Sequence, residues 1–322
     1  MVSAPSAGRP AVEIVVIAED AAGQRLDNFL LSRLKGVPKS HVYRLLRKGE
    51  VRVNKGRARP EYRLETGDAV RLPPVRRSQP DAPTPLGRLA GERLEARILH
   101  EDDRLVVLDK PSGIAVHGGS GLSHGVIEAL RAARPAAPFL ELVHRLDRET
   151  SGCLLIAKRR STLRSLHALL REGQVEKRYL ALVKGSWQQG QVRLEDRLLK
   201  SLRGGERMVT VDESGKAAAS VFRPVEIAAE ASLLEVRIMT GRTHQIRVQA
   251  AAAGHPLAGD DRYGDRDFNR RMRAMGLNRL FLHAASVGWE EPGGEWRSYS
   301  APLPEELRDA MASITAERPE HG

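Results

Sequence analysis

The chain has 322 residues and a formal net charge of +11, with 41% hydrophobic and 29% charged residues. This composition can bury a sizeable core, and the length indicates about two domains. A uniformly basic protein is excluded, because residues 25–77 hold 15 basic and 5 acidic residues, which leaves the other 269 positions with a net charge of about +1.

The first part of the chain has the pattern of a small module of helices and strands. Residues 1–12 form a leader rich in small residues and proline, and residues 13–18 read as a strand. Two helices follow, each with apolar residues at helical spacing, and strands are predicted over residues 51–55 and 69–72. Five prolines between residues 73 and 85, without an apolar period, then predict a linker over residues 76–93.

The second part, residues 94–315, alternates short strands with helices but lacks a strict βα repeat. Strands are predicted over residues 96–100, 105–108, 153–157, 178–183, 218–225, 233–239 and 280–287. Helices are predicted over residues 125–133, 161–171 and 244–253, the last with Thr243 as its N-cap. This order predicts an α+β domain with a mixed, mostly antiparallel sheet flanked by helices, and residues 316–322 read as a flexible tail.

Part of this excess positive charge lies on the second predicted helix and around its ends. The basic and polar residues there are Lys39, Ser40, Arg44, Arg47, Lys48 and Arg52. Such a grouping can follow a phosphate backbone, with binding that weakens steeply as salt rises. A solubilising charged face is the alternative, but a charge of +10 confined to one small unit favours RNA or DNA binding.

Four stretches of this basic module, residues 25–30, 37–40, 43–54 and 64–68, form a recognisable pattern. They resemble an S4 RNA-binding domain covering residues 13–75. That family places its second helix and the following strand against structured RNA, so the resemblance implies an RNA ligand for the six residues named above. S4 domains occur in several kinds of protein, and the resemblance therefore implies no particular reaction.

Two apolar stretches of the second part are separated by the polar loop His-Arg-Leu-Asp-Arg-Glu-Thr-Ser-Gly at residues 144–152. Asp147 is flanked by Arg145 and Arg148, whose guanidinium groups can keep a carboxylate ionised and can also meet phosphate. From the residues alone, Asp147 is either a turn-capping residue or a catalytic acid, and both interpretations stay open.

A second polar stretch, Thr-Gly-Arg-Thr-His-Gln-Ile-Arg at residues 240–247, leads into a predicted helix. Arg242 and Arg247 lie where guanidinium and free N–H groups suit phosphate or carboxylate contacts. An ordinary solvated helix start is the alternative. Tyr179 opens an apolar strand and is either a core residue or a stacking partner for a base.

These two polar stretches, with the strings at residues 109–113, 177–179 and 254–260, resemble the RluA family of pseudouridine synthases. The resemblance covers about residues 94–302, and His-Arg-Leu-Asp-x-x-Thr-Ser-Gly is a highly specific signature. It implies an enzyme that isomerises uridine: the N-glycosidic bond breaks, the uracil turns, and the base is rejoined to the sugar through C5.

The resemblance also implies roles for the residues at matching positions. Asp147 would be the catalytic carboxylate, which either adds to the sugar or base or removes a sugar proton; the sequence does not choose between these. Arg247 would pair with Asp147 and keep it charged, and Tyr179 would stack on the base and help to move a proton. The residues expected to contact RNA and flip the uridine out are Arg145, Arg242 and His144, with Arg145 entering the RNA stack.

No cofactor and no metal are expected for such a reaction. The sequence has no phosphate loop and no Rossmann fingerprint, and its histidines show no paired ligand spacing. The single cysteine, Cys153, excludes an internal disulfide. Because no apolar stretch approaches the roughly 18 residues of a membrane span, a cytoplasmic protein is expected, and nothing demands more than a monomer.

The expected partner is ribosomal RNA, the 23S RNA of the large subunit. A sister enzyme that modifies transfer RNA is one alternative. A ribosome-assembly protein that binds RNA without activity is another, although the intact set of Asp147, Tyr179 and Arg247 counts against it. A hydrolase that uses Asp147 with Glu149 or Asp260 is a third, and the lack of metal-ligand spacing disfavours it.

Overall fold

The computed structural model describes residues 12–34, 37–75, 85–118, 125–203 and 206–316. The chain divides into two compact units, Met1–Thr84 and Pro85–Gly322. Except for Val12 and Ala316, the predicted leader and tail lie outside the described residues, as does the predicted linker up to residue 84.

The first unit combines two helices with a three-stranded antiparallel sheet. Its strands are β1 (Glu13–Val16), β2 (Arg52–Val53) and β3 (Ala69–Leu72), in the order β1-β3-β2; its helices are α1 (Leu26–Arg33) and α2 (Lys39–Lys48). One face of α2 buries Val42, Leu45 and Leu46 in the core shared with α1 and the strands. Gly49 ends α2 with a φ of 69°, a left-handed conformation that costs glycine no Cβ clash.

The second unit is built on one eleven-stranded sheet. Its strands are β4 (Ile98–Glu101), β5 (Leu105–Lys110), β6 (Glu141–Leu142), β7 (Ser151–Ala157), β8 (Glu176–Lys184), β9 (Val192–Arg203), β10 (Glu206–Val211), β11 (Lys216–Ile227), β12 (Ala231–Ile238), β13 (Leu282–Glu290) and β14 (Trp296–Ser300). Its helices are α3 (Pro85–Glu95), α4 (Val126–Ala133), α5 (Arg160–Arg171), α6 (Gln245–Ala252), α7 (Arg266–Ala274) and α8 (Glu305–Ala316).

The sheet is mixed and mostly antiparallel, as predicted. The strand order is β10-β9-β11-β12-β8-β13-β7-β5-β4, with β14 paired to β13 and β6 to β7. Within the described residues, only β7 and β13 pair in parallel. The α+β fold class predicted from the sequence is therefore confirmed.

The core lies on both faces of the central strands. Every residue of β5 and β7 is buried, and successive residues face opposite sides because the side-chain period of a strand is two. Val106, Leu108, Leu154 and Ile156 join one cluster with α4. Leu105, Val107, Cys153 and Leu155 join another with Leu166 of α5. Both strands are thus fixed rigidly in the sheet.

Helix α3 occupies residues that the sequence analysis assigned to the linker. It runs over Pro85–Glu95, whereas no element was predicted before residue 94. Gly91 lets α3 approach α4 closely, because a Cβ there would lie 2.2 Å from the Ala129 carbonyl oxygen and 2.7 Å from the Ala133 Cβ. Apolar residues do recur at helical spacing here, at Leu86, Leu89, Ala90 and Leu94, but the prolines before the helix and its two glycines favoured a linker.

The parallel pairing of β7 with β13 sets the position of the polar loop that precedes β7. Gly152 has a φ of 108°, and a Cβ there would lie 2.3 Å from the carbonyl oxygen of Ala284 on β13. Only glycine permits both this conformation and this approach. The end of the signature loop is therefore attached closely to the neighbouring strand.

We expect the second unit to lose stability on acidification between about pH 4.5 and pH 2, partly through Glu101. Its carboxylate accepts hydrogen bonds from Arg134 at 2.7 and 2.8 Å and from Lys158 at 2.6 Å. The Arg134 bonds, helped by Lys158, lower the pKa of Glu101 from 4.5 to about 2. A pKa depressed by folding contributes stability that is complete above 4.5 and is lost as the pH falls towards 2.

Urea unfolding at pH 7, 5 and 3 measures this contribution. Glu101→Gln should cost at most about 2 kcal/mol at pH 7, since the group is partly exposed, and should flatten the pH dependence. Glu92→Gln, which removes an exposed pair with Arg88, is the matched control. A wild-type protein and a Glu101→Gln variant with the same pH dependence would contradict the assignment.

Candidate active site

A cleft of about 770 Å³ in the second unit brings distant segments of the chain together. Its walls come from the loop between β6 and β7, the end of α5, strand β8, and the segment that joins β12 to α6. The predicted site residues that line it are Asp147, Tyr179, Arg247, Arg145, Arg242 and His144. All six predicted site residues of this unit therefore line one cleft.

Asp147 lies on the loop between β6 and β7, with 17% of its side chain exposed. Its Oδ2 atom is 4.0 Å from Nη1 of Arg247 and 3.9 Å from Nε2 of His244. Both distances exceed that of a hydrogen bond, so Arg247 attracts the carboxylate by its charge, and neither side chain occupies the carboxylate oxygens. The carboxylate is oriented by charge and remains accessible from the cleft.

The loop that carries Asp147 is held by hydrogen bonds to its backbone carbonyls. Lys110 is fully buried, and its ammonium group donates to three carbonyl oxygens, including that of Arg148 at 3.1 Å. Burial lowers the pKa of Lys110 to about 7. Ser112 and Arg279 donate to the carbonyl oxygen of Glu149 at 2.7 and 3.4 Å. These contacts fix the loop independently of any substrate.

Arg247 forms its short ion pair with Asp260. Two parallel hydrogen bonds of 2.7 Å join the guanidinium to the carboxylate, and both side chains are buried. Asp260 also accepts the backbone N–H groups of Arg262 and Tyr263 at 2.9 and 3.0 Å. Burial opposes both charges, but these bonds outweigh it and move the pKa of Arg247 up and that of Asp260 down. The predicted pairing of Arg247 with Asp147 is the longer of its two contacts.

The start of α6 differs from the prediction. The N-cap is His244, not Thr243, and its backbone is left-handed with a φ of 53°. The His244 side chain forms no capping hydrogen bond, and the Gln245 side chain folds back to accept the Arg242 backbone N–H at 3.0 Å. In this conformation His244 reaches Tyr263, whose hydroxyl lies 2.8 Å from the Nδ1 atom.

Tyr179 is both a core residue and a wall of the cleft, so the two readings of it coexist. Only 7% of the residue is exposed, and it packs in the cluster that contains β8 and β12. Burial and the charge of Asp147 raise the pKa of Tyr179, which keeps the phenol protonated. Lys177, two residues earlier on β8, also lines the cleft, and burial lowers its pKa.

The three residues predicted to contact RNA differ in their surroundings. Arg145 is exposed, and its guanidinium forms no hydrogen bond or ion pair with the described residues. Arg242 is also exposed, but its Nε donates to the carbonyl oxygen of Ala217 at 2.9 Å. His144 accepts the Leu155 backbone N–H at 3.2 Å, and burial lowers its pKa to about 4. The ring of His144 therefore supports the loop.

The six residues of the first unit that are predicted to bind RNA lie at its surface. Lys39, Ser40, Arg44, Arg47, Lys48 and Arg52 are all exposed. Arg52 donates to the carbonyl oxygens of Gly49 and Lys55, both at 3.3 Å. The five others make no side-chain hydrogen bond or ion pair within the described part of the chain. This face of α2 is thus a set of uncompensated cations.

Two kinds of feature are missing from the described residues. No group of three or more side chains there is arranged to hold a metal ion. No described helix is long and apolar enough to cross a bilayer.

Family models and curated relatives match both units. The family model described as RNA pseudouridylate synthase matches residues 104–252, and that of the S4 domain matches residues 24–70. The protein of Haemophilus influenzae called ribosomal large subunit pseudouridine synthase C is 56% identical over 94% of this chain and 95% of its own length. The Escherichia coli K12 protein of the same name is 56% identical over 95% and 97%.

Solved structures share the fold of the second unit. Human RNA pseudouridylate synthase domain containing 4 matches 71% of this chain and 97% of its own length, with a TM-score of 0.59 and 23% identity. Human RNA pseudouridylate synthase domain containing 1 matches 64% of this chain and 83% of its own, with a TM-score of 0.54 and 25% identity.

Proposed function

We propose that this chain, which belongs to the RNA pseudouridylate synthase family, converts uridine to pseudouridine in the 23S ribosomal RNA of the large subunit. One observation carries the assignment of the active site: the signature loop holds Asp147 in a cleft with Tyr179 and Arg247. The substrate is inferred from relatives whose name specifies the large ribosomal subunit and which align over about 95% of this chain.

The proposed catalytic carboxylate is Asp147. The reaction exchanges the N1–C1′ bond of uridine for a C5–C1′ bond and needs neither oxidant nor external nucleophile. An accessible carboxylate beside the sugar can either add to it or remove a proton from it. Both steps need a carboxylate oxygen that is free of short hydrogen bonds, and the nearest cationic or imidazole nitrogens lie 3.9 and 4.0 Å from Asp147 Oδ2.

Arg247 and Tyr179 are proposed to serve this carboxylate and the base. Arg247 is locked by Asp260, so its remaining Nη1 atom presents a fixed positive charge to Asp147 at 4.0 Å. Preorganised charge of this kind stabilises an anion without reorganisation during the reaction. The buried ring of Tyr179 offers an apolar face on which a flipped uracil can stack.

Arg145 is proposed to fill the space that the flipped uridine leaves in the RNA. Its guanidinium is exposed and unpaired within the described residues, so it can leave the protein surface without breaking a contact. A planar guanidinium stacks on bases and offsets part of the unstacking cost of a few kcal/mol. Arg242 is proposed to contact RNA from the rim of the cleft, and His144 to support the loop.

The S4 unit is proposed to capture RNA, and neutralising its free cations should weaken capture alone. For the triple variant Arg44→Gln, Arg47→Gln and Lys48→Gln, KM should rise while kcat at saturating RNA stays unchanged. The slope of log Kd against log salt should fall by roughly 2 to 3, since each phosphate contact contributes about 0.7 to 0.9. Filter binding across a salt series measures this slope.

Arg33→Gln is the matched control for this experiment. It removes one cation of the same unit, but that guanidinium is already paired with Glu13 at 2.6 Å. The control should leave the slope unchanged. An unchanged slope and KM in the triple variant would remove α2 from the RNA-binding surface.

Carbodiimide mapping of pseudouridine tests the function as a whole. Ribosomal RNA from cells with and without this protein is compared, and sites that vanish identify the substrate. Loss in transfer RNA alone would assign the other substrate class, and no loss in either RNA would favour a binding protein without activity. Action on ribosomal RNA also leads us to propose a cytoplasmic protein, and we propose that it works as a monomer.

A further inference from the structure

The proposed isomerisation requires a proton transfer, for which the resemblance implies only Tyr179, a phenol that its raised pKa keeps protonated. When C5 of uracil joins C1′, C5 still carries its hydrogen. This proton must leave before the aromatic uracil ring is restored, and N1, which has lost the sugar, must gain a proton. A group that faces the base and can both accept and donate a proton would serve both ends.

We propose that His244 is the catalytic residue that accepts the C5 proton and returns it to N1. This inference rests on the proposed function and deepens it, since it adds a second acid–base group beside Asp147.

The position of His244 suits this role. Its ring lines the cleft, and its Nε2 atom lies 3.9 Å from Asp147 Oδ2, too far for a hydrogen bond. Nε2 is therefore beside the proposed reaction centre and still unbonded. The opposite nitrogen, Nδ1, is 2.8 Å from the hydroxyl of Tyr263, which also accepts the Val209 backbone N–H at 3.1 Å. The ring is thus held at Nδ1, and Nε2 forms no hydrogen bond within the described residues.

The hydroxyl of Tyr263 allows His244 to change its protonation state. A phenol oxygen can accept a hydrogen bond from Nδ1–H, or the phenol can donate to a bare Nδ1. With the proton on Nδ1, Nε2 has a free lone pair and can act as a base. After Nε2 takes a proton, Nδ1–H keeps the same bond, so no group needs to move.

The other titratable rings that line the cleft are less suitable. Nε2 of His144 already accepts the Leu155 N–H, and Nε2 of His167 lies 3.0 Å from the carbonyl oxygen of Val143. The pKa of Tyr179 is raised, so its phenol keeps its proton. Lys177 carries its proton on an ammonium group that has no lone pair while charged, and its contribution is separated experimentally below.

Burial favours the neutral form of the His244 ring, and the nearby carboxylates still allow the ring to be protonated. Burial, followed by the charges of Arg247 and Arg262, lowers its pKa, whereas Asp147 and Asp260 act in the opposite direction. A neutral imidazole is the form that can accept a proton. Once protonated, the imidazolium is attracted to the carboxylate of Asp147 close to Nε2.

The backbone conformation of His244 also supports a functional role for its side chain. Residues other than glycine with a positive φ are uncommon, and a strained backbone of this kind costs of order 1–3 kcal/mol. His244 adopts a φ of 53° at the start of α6. This conformation is what directs the imidazole towards both Asp147 and Tyr263.

The step balances without any further reactant. The C5–H proton moves to Nε2, and its electron pair forms the C5=C6 double bond. The electron pair of the C6=N1 bond moves to N1, which then takes the proton from Nε2. The imidazole ends neutral, and the only net change is one proton moved from C5 to N1.

Chemical rescue of His244→Gly tests the proposal. Glycine accepts the left-handed backbone and leaves a space the size of the imidazole. Turnover should fall by about 10²- to 10⁴-fold, the range of general acid–base catalysis, and added imidazole should restore part of it. RNA carrying deuterium at C5 should turn over more slowly than protiated RNA in the variant, because removal of the C5 proton has become rate-limiting.

Two controls separate this role from a structural one. Asp147→Asn should not be rescued by imidazole, because its defect lies at the sugar. Lys177→Met removes another basic group of the cleft and should show no C5 isotope effect; an isotope effect there and none in His244→Gly would overturn the proposal. Thermal unfolding of every variant verifies that the fold is intact.

The outcomes also distinguish a failure of the role of His244 from a failure of the proposed function. His244→Gly turnover within threefold of wild type, or a slow variant with neither rescue nor isotope effect, would refute the role of His244 alone. A wild-type protein that forms no pseudouridine in ribosomal or transfer RNA would instead refute the proposed function.

Discussion

Asp147→Asn should lower pseudouridine formation by about 10⁴-fold or more while RNA binding persists. The amide has nearly the shape of the carboxylate but can neither add to the sugar as an anion nor remove a proton. The loop should keep its conformation, because Lys110, Ser112 and Arg279 hold its backbone carbonyls and not the Asp147 side chain. Single-turnover formation of pseudouridine and filter binding, measured on the same RNA, separate the two effects.

Glu149→Gln is the matched control, since Glu149 lies two residues away on the same loop. Its partly exposed carboxylate pairs with Arg148 at 3.3 Å and does not line the cleft. Activity of this variant should stay within about threefold of wild type. A large loss would mean that the reaction also depends on the carboxylate of Glu149, and full activity of Asp147→Asn would refute the role assigned to that residue.

The sequence predicted those elements whose apolar residues repeat at a regular spacing. The two helices of the first unit, the buried strands β5 and β7, and α5 with its row of leucines all belong to this group. Helix α7 was missed because arginine and aspartate dominate it, and Phe268 and Met272 are its buried apolar residues. Helix α3 was missed because its glycines and the prolines before it are typical of a linker, although Ala90 and Leu94 pack against the core. Sequence periodicity alone therefore does not identify these two helices.

The sequence predicts the site residues that stand in short recognisable motifs. It does not predict the contacts between residues that the fold brings together from distant segments. Asp147, Tyr179 and Arg247 stand in recognisable strings. The pairing of Arg247 with Asp260 depends on the turn after α6, and no spacing rule predicts it. The left-handed backbone of His244 likewise follows from packing, since Thr243 looked like an ordinary N-cap.

The exposed cations of α2 and the buried Arg247 suit two different proposed roles, RNA capture and catalysis. The cations of α2 are exposed and unpaired, which suits them to attract phosphate over the range of a Debye length. Arg247 is 5% exposed and bound to a carboxylate, so it adds little to long-range attraction. Its charge is fixed at one place, where it acts on a single neighbouring group. The net charge of the chain indicates exposed cations such as those of α2, but it does not indicate where a buried cation such as Arg247 acts.

Asp260→Asn should destabilise the protein by about 3–5 kcal/mol and also impair catalysis. Both side chains of the pair are buried, so the variant leaves the guanidinium of Arg247 without a counter-charge. The amide also loses acceptor capacity for the backbone N–H groups of Arg262 and Tyr263. Released from its bidentate partner, Arg247 should turn towards Asp147 and occupy the oxygen that the reaction needs. Urea unfolding and single-turnover kinetics measure the two effects.

A double variant separates the stability of the pair from its function. Arg247→Met combined with Asp260→Leu removes both charges, so it should recover the part of the stability that an unpaired buried charge costs, while the backbone N–H groups of Arg262 and Tyr263 still lack their acceptor. It should nevertheless remain inactive, since Asp147 then lacks its fixed cation. Asp261→Asn is the matched control, because that exposed carboxylate pairs with Arg273 at the surface. An Asp260→Asn variant that unfolds at the wild-type urea concentration would mean that the buried pair contributes nothing to the fold.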